Sequence, residues 1–121
     1  MPCDSVTVRN NRVIFCYRPA DRGINRYVTL DAKIRPFHRH FALYLVNDQP
    51  QVFGVTVVSN VPVTSPAPEG DYQTIATLWG EKYHKRVVFC KAWSQGEPAT
   101  EGDINNALAR AREQYACESS V

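Results

Sequence analysis

Long apolar runs are missing from this chain of 121 residues. The longest, Phe41 to Val46, covers six residues, where a bilayer-spanning helix needs about 20. The N-terminus, Met1-Pro2-Cys3-Asp4-Ser5, has no basic start followed by an apolar stretch, so no secretory leader is expected. No Asn-x-Ser/Thr acceptor occurs, and a cytosolic location is the expectation. Paired cysteine motifs are missing too. Cys3, Cys16, Cys90 and Cys117 are scattered without a Cys-x-x-Cys, which excludes zinc-ribbon and thioredoxin-like spacings. In a reducing cytosol these four would be free thiols.

Signatures of phosphate and hydrolytic chemistry are likewise absent. There is no Gly-rich phosphate loop, no Gly-x-Ser-x-Gly elbow and no His-Glu-x-x-His, so common nucleotide-dependent enzymes lack their features here. Only Asp31 projects outward from an expected strand, which disfavours a two-carboxylate glycosidase, since that chemistry needs a facing acid pair. Repeats and low-complexity tracts are absent. With 44% hydrophobic and 21% charged residues, the chain has the composition of a folded globular protein. Its length fits one domain, 1–121.

What is present is a segregated charge. Residues 1–40 hold eight Lys/Arg (Arg9, Arg12, Arg18, Arg22, Arg26, Lys33, Arg35, Arg39) against Asp4, Asp21 and Asp31, a net +5. The remainder holds six basic and nine acidic residues, a net −3, so the overall +2 conceals a polarity. A local positive field attracts anionic partners even on a nearly neutral molecule.

Asn10-Asn11 suits a two-residue type I′ turn, because Asn tolerates positive φ. The register then pairs Arg9 with Arg12, Val8 with Val13 and Val6 with Phe15. Val6, Val8, Val13, Phe15 and Tyr17 take one face, and Arg9, Arg12, Ile14, Cys16 and Arg18 the other. Strict alternation from Arg26 to Ile34 predicts a strand with Val28, Leu30, Ala32 and Ile34 inward. Two more strands follow, about His38–Val46 and Gln51–Val58, joined at Asn47-Asp48-Gln49-Pro50. Asn60 to Gly70, with Pro62, Pro66 and Pro68, reads as an extended loop. Asp71 is positioned to cap a helix whose stripe is Tyr72, Ile75, Ala76, Trp79 and Tyr83, against which Gly80 counts. Arg86–Trp93 reads as a strand. A last helix opens near Thr100 and carries Ile104, Ala107, Leu108, Ala111 and Tyr115 on one face. The expectation is an α+β domain: a curved, mostly antiparallel sheet of about six strands with two helices, about 71–84 and 101–117, packed on one face.

Three constellations carry candidate chemistry. The first is His38-x-His40: residues two apart on a strand share a face, and paired imidazoles can hold a metal or act as acid and base. Position 42, where a His-x-His-x-Asp motif needs Asp, is Ala42, and Arg35 and Arg39 disfavour a cation. The second is the arginine set, extended by Lys82-Tyr83-His84-Lys85-Arg86. Arg9, Arg12, Arg18, Arg35, Arg39 and Lys85 are the candidate contacts for an anionic partner, since guanidinium forks match phosphate and carboxylate. No RNA-recognition, KH or zinc-finger signature accompanies them. The third is a ligand cup with Trp79, Trp93 and the proline-rich loop at its mouth. The C-terminal Ser119-Ser120-Val121 loosely fits peptides captured by PDZ-type domains.

The leading expectation is a small binding protein without catalysis, whose basic N-terminal sheet face engages nucleic acid or an acidic protein surface. No cofactor and no metal are expected, and a homodimer is compatible with the pattern. The alternatives are a small hydrolase or nuclease using His38 and His40, and the ligand cup.

Overall fold

The computed structural model describes residues 5–9, 12–17, 27–32, 34, 38–58 and 67–94, together with Gly102, Asn105, Asn106 and Ala109. Six strands and one helix are formed by the contiguous part: β1 (Ser5–Arg9), β2 (Arg12–Tyr17), β3 (Tyr27–Asp31), β4 (His40–Val46), β5 (Gln49–Val58), α1 (Glu69–Tyr83) and β6 (Val87–Ser94). The strands make one sheet in the order β1-β2-β3-β5-β4-β6. Every neighbouring pair is antiparallel. This is an α+β arrangement. The expected second helix falls almost wholly outside the described residues. Within it, Gly102, Asn105, Asn106 and Ala109 are helical and exposed.

Local chemistry explains most of the elements. β1 and β2 pair in the register that the Asn10-Asn11 turn implies, with Val6 opposite Phe15, Val8 opposite Val13 and Arg9 opposite Arg12. β4 and β5 are joined by only two residues, Asn47 (φ 50°) and Asp48 (φ 67°), again residues that tolerate the left-handed region. The expected four-residue connection is therefore too long. β5 begins at Gln49 and includes Pro50, opposite Leu45. Pro50 is tolerated because β3 reaches only as far as Gly54, so its missing N–H faces no neighbouring strand.

α1 starts two residues earlier than expected, with Pro68 at its N-cap and Asp71 in the first turn. There Asp71 complements the helix dipole instead of capping. The helix ends at His84 in the left-handed conformation, and the Lys85 N–H donates to the Gly80 carbonyl at 3.2 Å. Gly80 is needed for this return: a Cβ there would lie 2.9 Å from the Lys85 carbonyl oxygen.

α1 comes closest to β6 on one side and to β1 and β2 on the other, so the sheet curves around it. The space between is filled by rings. Trp79 lies 4.3 Å from Phe15 and 4.8 Å from Phe53, centroid to centroid. Tyr44 packs on Phe53 and Phe89, and its hydroxyl donates to the Tyr72 carbonyl at 3.2 Å. Val28, Leu30, Ala42, Val55, Ile75 and Ala76 complete this cluster.

The opposite face carries a second apolar cluster of Phe41, Leu43 and Val52, with Ile34, Cys90 and Trp93 against it. Ile34 thus packs away from Val28 and Leu30, because β3 stops at Asp31 and the alternation ends there. The expected inward place of Ile34 beside Val28 and Leu30 is corrected accordingly. No described helix is long and apolar enough to cross a membrane.

Burial holds the Tyr44 phenol proton far above the ordinary value of 10.0, with the neighbouring Tyr72 adding to the effect. The unfolded chain ionises Tyr44 near pH 10 while the fold cannot, so stability is full below that pH and falls above it. Tyr44→Phe is expected to cost about 0.5–1.5 kcal/mol at neutral pH through the lost hydrogen bond. Urea midpoints of wild type and variant should converge as pH passes about 10; a constant gap would contradict the burial of this hydroxyl.

Candidate functional site

His38 and His40 do not share a face. His40 lies opposite Val55, on the side of Ala42 and Tyr44 that packs against α1. His38 precedes β4 and is buried at 7% exposure. Its ring lies over Gly54 on the other face, so a Cβ at Gly54 would sit 2.5 Å from His38 Nδ1. The two-residue spacing fails as a guide because His38 is outside the strand, where alternation no longer holds.

Gly54 is the meeting point of a polar group that the spacing did not reveal. Asp31 faces Gly54 across the β3–β5 ladder, and Phe41 faces it from β4. Asp31 is only 5% exposed, so it points away from α1, as expected, yet not into solvent. A buried carboxylate and a buried imidazole are thus gathered at one glycine, beside Phe41 and Leu43. The signal in the sequence was Gly54 itself, a glycine inside a β-branched strand, which marks close approach of another group.

His40 differs. Its Nδ1 is buried without a hydrogen-bond partner. Burial, and then the charge of Arg39, hold its pKa below the ordinary 6.5. No group of three or more His, Cys, Asp or Glu side chains converges among the described residues.

The basic candidates are spread. Arg9 and Arg12 are a directly opposed pair at the turn end of the β1–β2 hairpin. Arg39 is exposed just before β4, and Lys85 is exposed just before β6. Because Val46 pairs with Val87 and His40 with Ser94, Arg39 and Lys85 stand at opposite ends of β4, a separation of over ~20 Å at 3.3 Å per residue. Beside Lys85, Arg86 pairs with Asp48 at 3.6 Å, and its N–H donates to Asn47 Oδ1 at 3.0 Å. Arg18 and Arg35 lie outside the described residues, as do Asn60–Pro66 of the proline-rich loop and Ser119-Ser120-Val121.

The two tryptophans do not frame one mouth. Trp79 is buried in the α1-facing cluster, and Trp93 stacks on Phe41 at 5.6 Å on the other face. An open groove lies between α1 and β1, lined by Ser5, Val6, Leu78, Glu81 and Lys82.

Cysteine chemistry departs from expectation. Cys16 and Cys90 are disulfide-bonded, so neither is a free thiol. Scattered spacing carries no local signal for such bonds.

No family model matches the chain, and neither a curated protein nor a solved structure shows significant similarity to it.

Two outcomes follow from this geometry. Gly54→Ala should destabilise by about 1–3 kcal/mol, because the added methyl strikes a buried ring. His38→Ala should relieve part of that cost in the double variant, read as a coupling energy in a denaturant cycle; strict additivity would disprove the contact. For His40, protonation opposes the fold, so stability is full above about pH 6.5 and declines as pH falls toward the lower folded pKa. His40→Gln should flatten that decline, and a proton NMR titration should place wild-type His40 below 6.5.

Proposed function

We propose that this protein is a non-catalytic binding module whose N-terminal hairpin engages an extended anionic macromolecule. The observation that carries this reading is the register that sets Arg9 directly opposite Arg12 in the outermost strand pair. Like charges facing one another across a ladder are destabilising by tenths of a kcal/mol (up to about 1). In this reading an anionic partner offsets the like charge that the register brings to one place in the ladder. The net +5 of residues 1–40 supplies the surrounding field.

Arg18 and Arg35 belong to the same basic segment and extend the surface in this reading. Arg39 and Lys85 serve as outlying contacts, and their wide separation suits an elongated partner, nucleic acid or an acidic protein, better than a small ligand. A homodimer formed through a sheet edge would use β1 or β6, the outer strands.

The separation of His38 from His40 removes the convergent pair that a hydrolase would use, and the ring-filled interior leaves the cup without a cavity at Trp79. Neither alternative gains support from the geometry.

Arg12→Glu is the decisive variant. It replaces a like-charge pair with an opposite-charge pair, so the denaturant midpoint should stay level or rise. Affinity for a short oligonucleotide duplex and for polyglutamate, read by fluorescence anisotropy at low salt, should fall about tenfold or more, with a shallower salt dependence. Undiminished binding by Arg12→Glu, or no binding of either polyanion by the wild type at low salt, would overturn the proposal.

A further inference from the structure

From the register we infer that the chain is closed by two disulfides, Cys3–Cys16 and Cys90–Cys117, and that it acts in an oxidising compartment. The inference is independent of the binding proposal. It starts from the two described cysteines, both bonded, in a chain that contains four.

Cys16 and Cys90 cannot be each other's partner. Cys16 lies on β2 opposite Thr29, which lies opposite Thr56 on β5. Cys90 is the extra residue of a bulge on β6, between Phe89 opposite Tyr44 and Lys91 opposite Leu43. Leu43 and Tyr44 in turn face Val52 and Gln51. The two cysteines are therefore offset by at least four residues along the strands, about 13 Å, and by four strand spacings across the sheet, about 19 Å. The sheet curves around α1, and Cys90 packs on the face away from α1. Cys16 alternates with Phe15 and Tyr17, which pack toward α1, so it too faces away, and curvature spreads the pair further. A disulfide needs Cα atoms within about 7 Å.

Each of the two must then bond one of the remaining cysteines, and chain reach decides which. Cys3 is two residues before Ser5, and Ser5 lies directly opposite Cys16. Two residues extend at most about 7 Å. Cys3 can therefore approach Cys16, whereas β6 is five strand spacings away, about 24 Å. Cys90 is left with Cys117.

The consequences are chemical and topological. Two ties formed by all four cysteines persist in secreted, luminal or periplasmic surroundings and not against cytosolic thiol reductants. This replaces the cytosolic expectation. In topological terms, the first bond would tie the start of the chain to β2 and the second would tie its last residues to β6.

The connectivity can be read on the unmodified protein after expression in an oxidising compartment. Trypsin digestion without reduction, followed by mass spectrometry, should yield peptide 1–9 linked to 13–22, and 87–91 linked to 113–121. Alkylation before reduction should label no cysteine. Linkage of 13–22 to 87–91 or to 113–121 would overturn the pairing, and four alkylated thiols would overturn both the bonds and the compartment. Reductant should lower the melting temperature by about 10 °C or more; an unchanged melting point would show that the ties do not serve the fold.

Discussion

Everything in the described fold leans on the packing of Trp79 into the hollow of the curved sheet. α1 has weak credentials as an independent helix. It contains Gly80, worth about 1 kcal/mol against helix formation in an interior position. Short helices in water are marginal even without such residues. What holds it is the ring cluster of Phe15, Tyr44, Phe53, Phe89 and Trp79, with the Tyr44 hydroxyl bound to the carbonyl of Tyr72. The dependence runs both ways. β1, β2 and β6 approach α1 from two sides, so without the helix the sheet has nothing to curve around.

The second face obeys a different constraint. β4 is buried from Phe41 to Leu45 without a break, which is why the longest apolar run of the chain falls there instead of an alternating pattern. A strand buried on both faces loses its period-two signature. Against that apolar background, Asp31 and His38 are costly groups to bury unless they are hydrogen-bonded. The absent side chain of Gly54 makes the slot for the imidazole. The glycine's entropic cost is thereby tied to placing a buried polar residue, not to a turn.

Legibility in the sequence followed the range of the interaction. The Asn10-Asn11 dipeptide implies a register from local residue chemistry alone, and the pairing observed throughout β1 and β2 agrees with it. The helix stripe from Tyr72 to Tyr83 was readable from its period, and Val28 and Leu30 from theirs. The order β3-β5-β4 was not readable, because it depends on which strand edges meet after a long connection. His38 was misplaced for a local reason: periodicity was extended two residues beyond the strand that generates it. The cysteines were misread because disulfide partners are set by tertiary proximity, and wide spacing looks the same whether or not the chain returns.

These features bear jointly on the proposed binding role. A surface that gathers like charges subtracts from stability, so it needs a scaffold whose stability comes from elsewhere. Here that stability comes from the aromatic layer beneath α1, which reaches the hairpin through Phe15 and Val13, and from the second cluster at Phe41. The inferred Cys3–Cys16 bond would close the hairpin at its other end, opposite the turn. Cross-linking limits the unfolded ensemble whatever the surface charge. If the proposed role holds, the like charge that the register gathers at Arg9 and Arg12 is carried by a fold whose stability comes from its apolar clusters and its cross-links.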